Sequence, residues 1–305
     1  MENTPGLWTY STLTTNFTFA VDNFGIKLFA NDDITHLLDA LQENYSITID
    51  PSGSKYHGLT INWNYSEKKV DIFMPNSISK VLERFQHPFP KLPQYSPHKW
   101  LASTYGAKFK YFPDATTAPK LENHGITRVQ NIAGTFLYIS RAVDPTILVA
   151  LNKFGSKQAS PTTDVIKKTK ILMDYSATQP DAVVRFHASN VCLHIENDAA
   201  YLIQPKERSR DAGHYYLSDT LPPSPIRPTP TPNGPILTKC QTIRTVMTSA
   251  AKAEIGAIFL NGQQAVTIRT NLIEMFHPQP PTTIKTGIAT YNSILTGNMF
   301  RKCSK

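Results

Sequence analysis

Residues 18–33 read TFAVDNFGIKLFANDD, an apolar run that breaks at Asp22 and Asn23 and resumes at Phe24. The pattern predicts two short strands joined by a tight turn, because Asp and Asn favour turns and both flanks are apolar or aromatic. An acidic pair on such a turn suits metal-dependent phosphoryl chemistry where several carboxylates converge on the cations. In this chain, one member of the pair is an amide. We therefore expect a β-hairpin whose turn carries a single carboxylate, that of Asp22.

The segment after this hairpin predicts a helix and then a small antiparallel meander. Asn31 is placed to cap a helix whose apolar residues follow at i, i+3, i+4 and i+7 from Ile34. Period-2 patterning predicts three strands, and the apolar spacing then predicts another helix. The strands are expected at 45–49, 59–63 and 70–74, and the second helix at 78–85.

The middle of the chain predicts a linker followed by helices. Prolines at six positions between 86 and 119 rule out regular helix there. Three helices are expected after it, at 127–141, 144–154 and 160–175. Two of them have a capping residue followed by proline, Asp144-Pro145 and Ser160-Pro161, which is a typical helix start.

The last third is rich in predicted strands. They are expected at 183–185, 191–195, 213–217, 236–243 and 282–286, with a long helix at 249–275 before the last one. Residues 222–235 hold seven prolines between two of these strands, which predicts a polyproline II-like insertion. The order of elements is that of an α+β protein.

Composition favours an anionic partner. The chain of 305 residues has a formal net charge of +8 and a pI of about 9.2, which suits nucleic acid. Its three cysteines form no C-x-x-C pair, so neither a structural zinc site nor a disulfide framework is expected. No apolar run approaches the about 18 residues that span a bilayer, and the N-terminus lacks a signal pattern. We expect an intracellular protein, cytoplasmic or nuclear, with no membrane partner. The sequence carries no signal for an oligomeric state.

Several motifs carry a family resemblance. Val21-Asp22-Asn23 precedes Phe24-Gly25, where copia-like LTR retrotransposons normally have Val-Asp-Asp and then Phe-Gly. Further matching segments occur in family order across roughly residues 3–290. Residues 3–8 precede the hairpin, and residues 77–88, 142–146 and 208–214 follow it. The chain thus resembles the C-terminal part of a reverse transcriptase followed by an RNase H-like domain, as found in Pol polyproteins of that family.

The resemblance implies three regions. Residues 1–88 would form the C-terminal part of a polymerase palm, as a partial meander. Residues 89–181 would form a linker and a helical thumb or connection segment. Residues 182–305 would form an RNase H-like mixed α/β sheet domain, truncated at its C-terminus.

The resemblance also implies a polymerase site and an RNase H site, both incomplete. Asp22 matches the first aspartate of the polymerase pair and Asn23 replaces the second, while the earlier carboxylate-bearing strand would precede Met1. Asp198 and Glu254 match two RNase H ligands, and Gly287 stands where the third aspartate is expected. Because too few carboxylates remain around Mg²⁺, we expect catalysis to be lost or barely measurable. Whether the chain is an enzyme stays open.

Simpler interpretations also remain for these three acidic residues. Asp22 suits an ordinary hairpin turn, Asp198 a strand-end cap and Glu254 a solvated helix position.

A second hypothesis keeps the fold without catalysis. In it, the chain is a basic protein that binds an RNA/DNA hybrid or a single strand through phosphates. Candidate contacts are Lys206, Arg208, Arg210 and Lys239, together with the basic and aromatic stretch 108–112. A third hypothesis is an α+β protein of low stability, because loss of upstream strands would expose a sheet edge.

Overall fold

The computed structural model of the chain describes residues 4–9, 15–20, 22–28, 34–99, 118–204, 206–220 and 230–286. Within these ranges the protein is a mixture of helices and strands, so the predicted α+β class is confirmed. The strands are β1 (Leu7–Thr9), β2 (Asn16–Ala20), β3 (Asn23–Lys27), β4 (Lys55–Tyr56), β5 (Leu59–Asn64), β6 (Lys69–Phe73), β7 (Val183–His187), β8 (Cys192–Gln204), β9 (Arg208–Ser218), β10 (Pro235–Thr242) and β11 (Thr283–Thr286). The helices are α1 (Thr35–Asn44), α2 (Ser77–Arg84), α3 (Asn123–Ala142), α4 (Leu148–Gly155), α5 (Thr163–Thr178) and α6 (Ala250–Glu274).

The predicted hairpin forms the middle and one edge of a three-stranded sheet of order β1-β2-β3. Ala20 pairs with Asn23 across the turn, and Phe19 pairs with Phe24. Aromatic rings stabilise one side of the sheet, since the centroids of Phe17 and Phe24 lie 5.2 Å apart in a stacked arrangement. Asn31, the predicted cap of the following helix, lies outside the described residues.

The predicted meander is a four-stranded antiparallel sheet of order β4-β5-β6-β7. The strand predicted at 45–49 is wrong, and α1 is followed there by irregular chain. Tyr45 and Ile49 are exposed, and Asp50 accepts hydrogen bonds from the backbone N–H groups of Ser52 and Ser54. These bonds organise a local turn, which competes with strand pairing.

The edge strand of this second sheet comes from a distant part of the sequence. β7 pairs with β6 from Val183↔Phe73 to His187↔Lys69, although the resemblance assigned residues after 182 to the next region. The exposed ion pair of Arg185 with Asp71 lies across this pairing. Residues 183–187 are therefore part of the sheet formed by residues 55–73.

Helices α2 to α5 pack around one apolar core beneath the second sheet. Its fully buried members include Ile132, Phe136, Ile147 and Leu172. Asp144 caps a 3-10 turn that leads into α4, as its side chain accepts from the Thr146 N–H.

Helix α5 begins at Thr163, three residues later than the predicted start. The residues before it pair with the chain ahead of α3 instead. The Pro161 carbonyl accepts from the Leu121 N–H, and Thr162 bridges to Lys120.

The third sheet is mixed, with order β10-β9-β8-β11. Its first three strands are antiparallel, and β11 lies parallel to β8. The crossover between β10 and β11 is α6, which packs on one face of the sheet against Leu193, Ile195 and Tyr215. The predicted bounds 249–275 agree with α6 to within a residue at each end. None of the described helices is long and apolar enough to cross a membrane.

Candidate functional site

Glu254 is held against the third sheet by the way α6 begins. The Ser249 hydroxyl caps the helix by accepting from the Lys252 N–H at 3.2 Å. Ala253 and Ala257 are fully buried, and their small side chains let the first turns of α6 approach the strands closely. Glu254 consequently lies inside the protein, only 3% exposed.

The two carboxylate oxygens of Glu254 have different surroundings. Oε1 accepts a hydrogen bond from the backbone N–H of Ala199 at 3.3 Å. Oε2 is buried and has no hydrogen-bond partner among the described residues. Burial, and then the negative charge of Asp198, raise the pKa of Glu254 to about 7. A buried carboxylate oxygen without a partner is costly, so Glu254 lies in a position where a proton or a cation is favourable.

Asp198 lies on β8, paired with Ala212 of β9, and its side chain is exposed. It directly precedes Ala199, whose N–H binds Glu254, and its charge acts on Glu254. The structure therefore brings Glu254 to the backbone next to Asp198, although the two residues are separated by more than fifty positions in the sequence. Neither the strand-end cap for Asp198 nor the solvated helix position for Glu254 describes this arrangement, because Glu254 is buried beside β8.

Asp22 is not part of this pair. It is exposed on the turn between β2 and β3 and accepts from the Asn23 amide at 2.7 Å. The Asn23 oxygen in turn accepts from the His57 N–H at 3.3 Å, which connects the hairpin to the chain between β4 and β5. In the part of the chain that the structure describes, no group of three or more His, Cys, Asp or Glu residues could hold a metal. Gly287, at the expected third ligand position, lies outside the described residues.

The pair has the chemistry of a partial magnesium site. Carboxylate oxygens are the ligands that Mg²⁺ prefers, and the ion usually keeps several waters beside one or two carboxylates. The buried Oε2 of Glu254 is a ligand of this kind, and the exposed carboxylate of Asp198 belongs to the residue before the N–H that binds Oε1. Two cations would need more negative charge than these two groups supply.

A buried polar network lies further along the same face of the sheet, centred on Asp211 of β9. Asp211 is 0% exposed and accepts from the amides of Asn261, at 2.8 Å, and Gln241, at 2.9 Å. The Lys239 ammonium lies 3.7 Å from the same carboxylate, and the Tyr215 hydroxyl donates to the Asn261 side-chain oxygen. Burial raises the pKa of Asp211, while these donors oppose the rise. The network locks α6 to β9 and β10.

Gly213 makes room for this network. A Cβ atom at that position would lie 2.2 Å from the Asn261 side-chain oxygen, far inside contact distance. The absence of a side chain there lets Asn261 reach the strands.

The four basic residues predicted to contact phosphate lie in different surroundings. Lys206 is exposed and Arg208 is partly buried at the turn between β8 and β9. Arg210 is 7% exposed, and Lys239 is directed at Asp211 inside the network. The four therefore do not form one open basic face.

Sequence patterns missed the network around Asn261. The signal was present as a row spaced by four residues, Ala253, Ala257, Asn261 and Ala265, all of which are buried. An amide within such a row predicts a buried hydrogen-bonding position, because small residues mark the packed side of a helix.

Comparison with protein-family models, curated proteins and solved structures found no match for this chain.

Proposed function

We propose that this chain is a degenerate fragment of a retrotransposon reverse transcriptase and RNase H, in which a partial RNase H-like site remains. The observation that carries the proposal is that Glu254, at the start of α6, binds the backbone N–H next to Asp198 on β8 and is influenced by the charge of Asp198. In this proposal the family activities, RNA-directed DNA synthesis and cleavage of RNA in hybrids, are lost or barely measurable.

The third sheet supports the assignment of the RNase H-like region. Three antiparallel strands, a long helix and a strand parallel to the first follow in the order that the resemblance implies. The two matched acidic residues lie on the first of these strands and on that helix, and the charge of Asp198 acts on Glu254. The palm assignment rests on the resemblance and on the hairpin that carries Asp22.

Each group in the pair has a defined role in this proposal. The Ala199 N–H orients Glu254 through Oε1, which leaves Oε2 directed toward a ligand. Asp198 supplies the second, solvent-accessible carboxylate. Mg²⁺, when bound, would polarise a phosphodiester and activate water. With two carboxylates, the pair holds a phosphate-bound cation but does not neutralise both the attacking and the leaving oxygen.

A cation-binding experiment tests the pair directly. Calorimetric titration of the full chain with Mn²⁺ or Mg²⁺ at about pH 8 should show one weak cation-binding site. Asp198→Asn and Glu254→Gln should each remove it, whereas Glu83→Gln, an exposed helical position, should not. Binding that survives both site variants would overturn the proposal that these carboxylates are the ligands.

A cleavage assay tests the expected loss of turnover. With an RNA/DNA hybrid and Mn²⁺, the protein should release little or no RNA product. Robust cleavage that Asp198→Asn abolishes would show an active nuclease and refute degeneracy.

A second candidate function is nucleic-acid binding without catalysis. The net charge of +8 favours it, and so does an exposed aromatic pair at the β5–β6 turn. The rings of Trp63 and Tyr65 are stacked, with centroids 6.0 Å apart, and both side chains are exposed. Such platforms stack on unpaired bases. The stretch 108–112 lies outside the described residues.

Salt dependence separates this function from the first one. Affinity for a single strand should fall steeply with salt if phosphates are neutralised, and Trp63→Ala should weaken binding at every salt concentration. Leu92→Ala, which alters an exposed apolar residue elsewhere, serves as the control. Affinity that is indifferent to salt would exclude phosphate contacts as the mode of binding.

A further inference from the structure

The face of the third sheet opposite α6 meets the helical region at α4. Asn152 of α4 connects the helical region to the third sheet through both the oxygen and the nitrogen of its side-chain amide. Its oxygen accepts from Nε of Arg210 on β9 at 3.2 Å, and its nitrogen donates to the Cys240 carbonyl on β10 at 3.4 Å. In the amide orientation that satisfies both groups, the Gln204 oxygen also accepts from the Arg210 guanidinium. Arg210 is therefore fixed at this junction.

Three nitrogen-bearing side chains from three separate segments are near enough here for their charges to act on one another. Arg210 is 7% exposed, and Lys153, the next residue after Asn152, is partly buried. His98 belongs to the segment after α2, and its Nδ1 atom is buried with no hydrogen-bond partner among the described residues. We call His98, Lys153 and Arg210 the junction cluster.

The junction cluster is positively charged, and among the residues that the structure describes no carboxylate is one of the groups that act on it. Burial lowers the pKa of all three side chains. The charges of Lys153 and Arg210 lower the pKa of His98 further, and Arg210 and Lys168 do the same to Lys153. Cys240 is the acidic group nearby, but burial raises its thiol pKa, which keeps it neutral. Buried positive charge of this kind is unfavourable unless an anion accompanies it.

We propose that the junction cluster is a binding site for a phosphate group. Arginine offers a planar fork of donors, lysine a mobile ammonium, and the unpartnered Nδ1 of His98 a further donor when protonated. A cation is repelled from the same place by the charges. The cluster lies on the other face of the sheet from the Asp211 network. The phosphate site itself does not depend on the proposed function. Whether the phosphate belongs to a small anion or to a nucleic-acid backbone does depend on it.

Pyrophosphate is a suitable probe, used with the full chain in thermal unfolding and calorimetry. The wild-type protein should unfold at a higher temperature with pyrophosphate than without it. Lys153→Met should weaken pyrophosphate binding about tenfold or more, because it removes a charge-assisted contact. Without pyrophosphate, the same variant should unfold at an unchanged or higher temperature, since it relieves repulsion.

Matched variants separate the site from general effects. Lys167→Met removes an equal charge from an exposed position on α5, 75% accessible, and should leave pyrophosphate binding unchanged. His98→Leu should weaken pyrophosphate binding without removing a lysine or arginine charge. This variant replaces Lys153→Met in the test if Lys153→Met does not fold. Asp198→Asn and Glu254→Gln should retain binding, so failure of the metal site and failure of this site are distinguishable.

Each of these measurements has an outcome that would support or overturn the phosphate site. No stabilisation by pyrophosphate at millimolar concentration would overturn the proposal. Equal binding by Lys153→Met and the wild-type protein would do the same. Competition between pyrophosphate and single-stranded DNA would assign the phosphate to a nucleic-acid backbone, and binding without competition would assign it to a small anion. Both of these last results support the site.

Discussion

The two faces of the third sheet bury charge in opposite ways. Arg210 and Asp211 are successive residues of β9, so their side chains point to opposite faces. Asp211 meets Asn261, Gln241 and Lys239, which are donors matched to its two oxygens. Arg210 meets Asn152 and Gln204, and the groups around it add positive charge.

This difference separates a structural polar cluster from a candidate binding cluster. A buried carboxylate with several donors holds its surroundings together, and removal of a donor should destabilise the fold. Buried cations with an unpartnered nitrogen beside them should gain from a ligand. The face toward α6 should therefore be more sensitive to mutation than the face toward α4.

The largest effect is expected from Gly213→Val. Its Cβ would displace the Asn261 side chain and remove one of the two amide donors to Asp211, at a cost of about 4 kcal/mol or more. We expect failure to fold, or unfolding at much lower urea concentration. Gly134→Ala in α3 has no neighbour within 4 Å of the added Cβ and should stabilise the protein by up to about 1 kcal/mol. A folded Gly213→Val protein of wild-type stability would contradict the role of the network.

The second-largest effect is expected from Asn261→Ala, which should lower the free energy of unfolding by about 3–5 kcal/mol. It removes one of the two amide donors to Asp211 and the partner of the Tyr215 hydroxyl. Asn152→Ala, on the opposite face, should cost about 1 kcal/mol. Urea denaturation of both variants measures the contrast between the faces. Equal losses would mean that the two faces do not differ as described.

Glu254→Gln should reveal the pH dependence of the acidic pair. The pKa of Glu254 is raised to about 7, so its contribution to stability is full below its ordinary pKa and is lost as pH rises through 7. The neutral variant should match the wild-type protein near pH 5 and exceed it by about 2–3 kcal/mol near pH 8. Thermal unfolding with a chelator present checks this. A variant less stable at both pH values would show that the carboxylate is needed for packing.

Ser249→Ala should have the smallest effect, about 1 kcal/mol, because it removes one capping bond at the start of α6. Loss of the cap should also loosen Glu254 and weaken cation binding slightly. Ser249→Asp retains a capping oxygen and should preserve stability. If Ser249→Ala and Ser249→Asp have the same free energy of unfolding, the cap makes no measurable contribution to stability.

Local patterns predicted much of the secondary structure. The bounds predicted for the long helix that became α6 were nearly correct, although its apolar residues Ile255, Phe259 and Val266 are exposed and its buried face consists mainly of small residues. The hairpin at Asp22 followed from turn chemistry. By contrast, residues 45–49 alternate like a strand but have no partner strand, because Asp50 directs the chain into a turn.

The site was predictable only in part. Asp198 and Glu254 were identified through family motifs, and in the structure the backbone N–H of the residue after Asp198 binds Glu254. No spacing rule could have joined His98, Lys153 and Arg210, because they come from three segments that meet only after the helices and strands pack. Likewise, Asp211 gave no sign of its burial, since a carboxylate within a strand looks like surface until its donors are known.

The pairing of β7 with β6 has a practical consequence for dissecting the protein. A fragment that begins at residue 182 carries the outer strand of another sheet, and the fragment that ends there exposes the open hydrogen-bonding edge of β6. Division after His187 would instead keep β7 paired with β6. A fragment that ends at residue 182 should be completed by a separate peptide of residues 183–187 through strand addition.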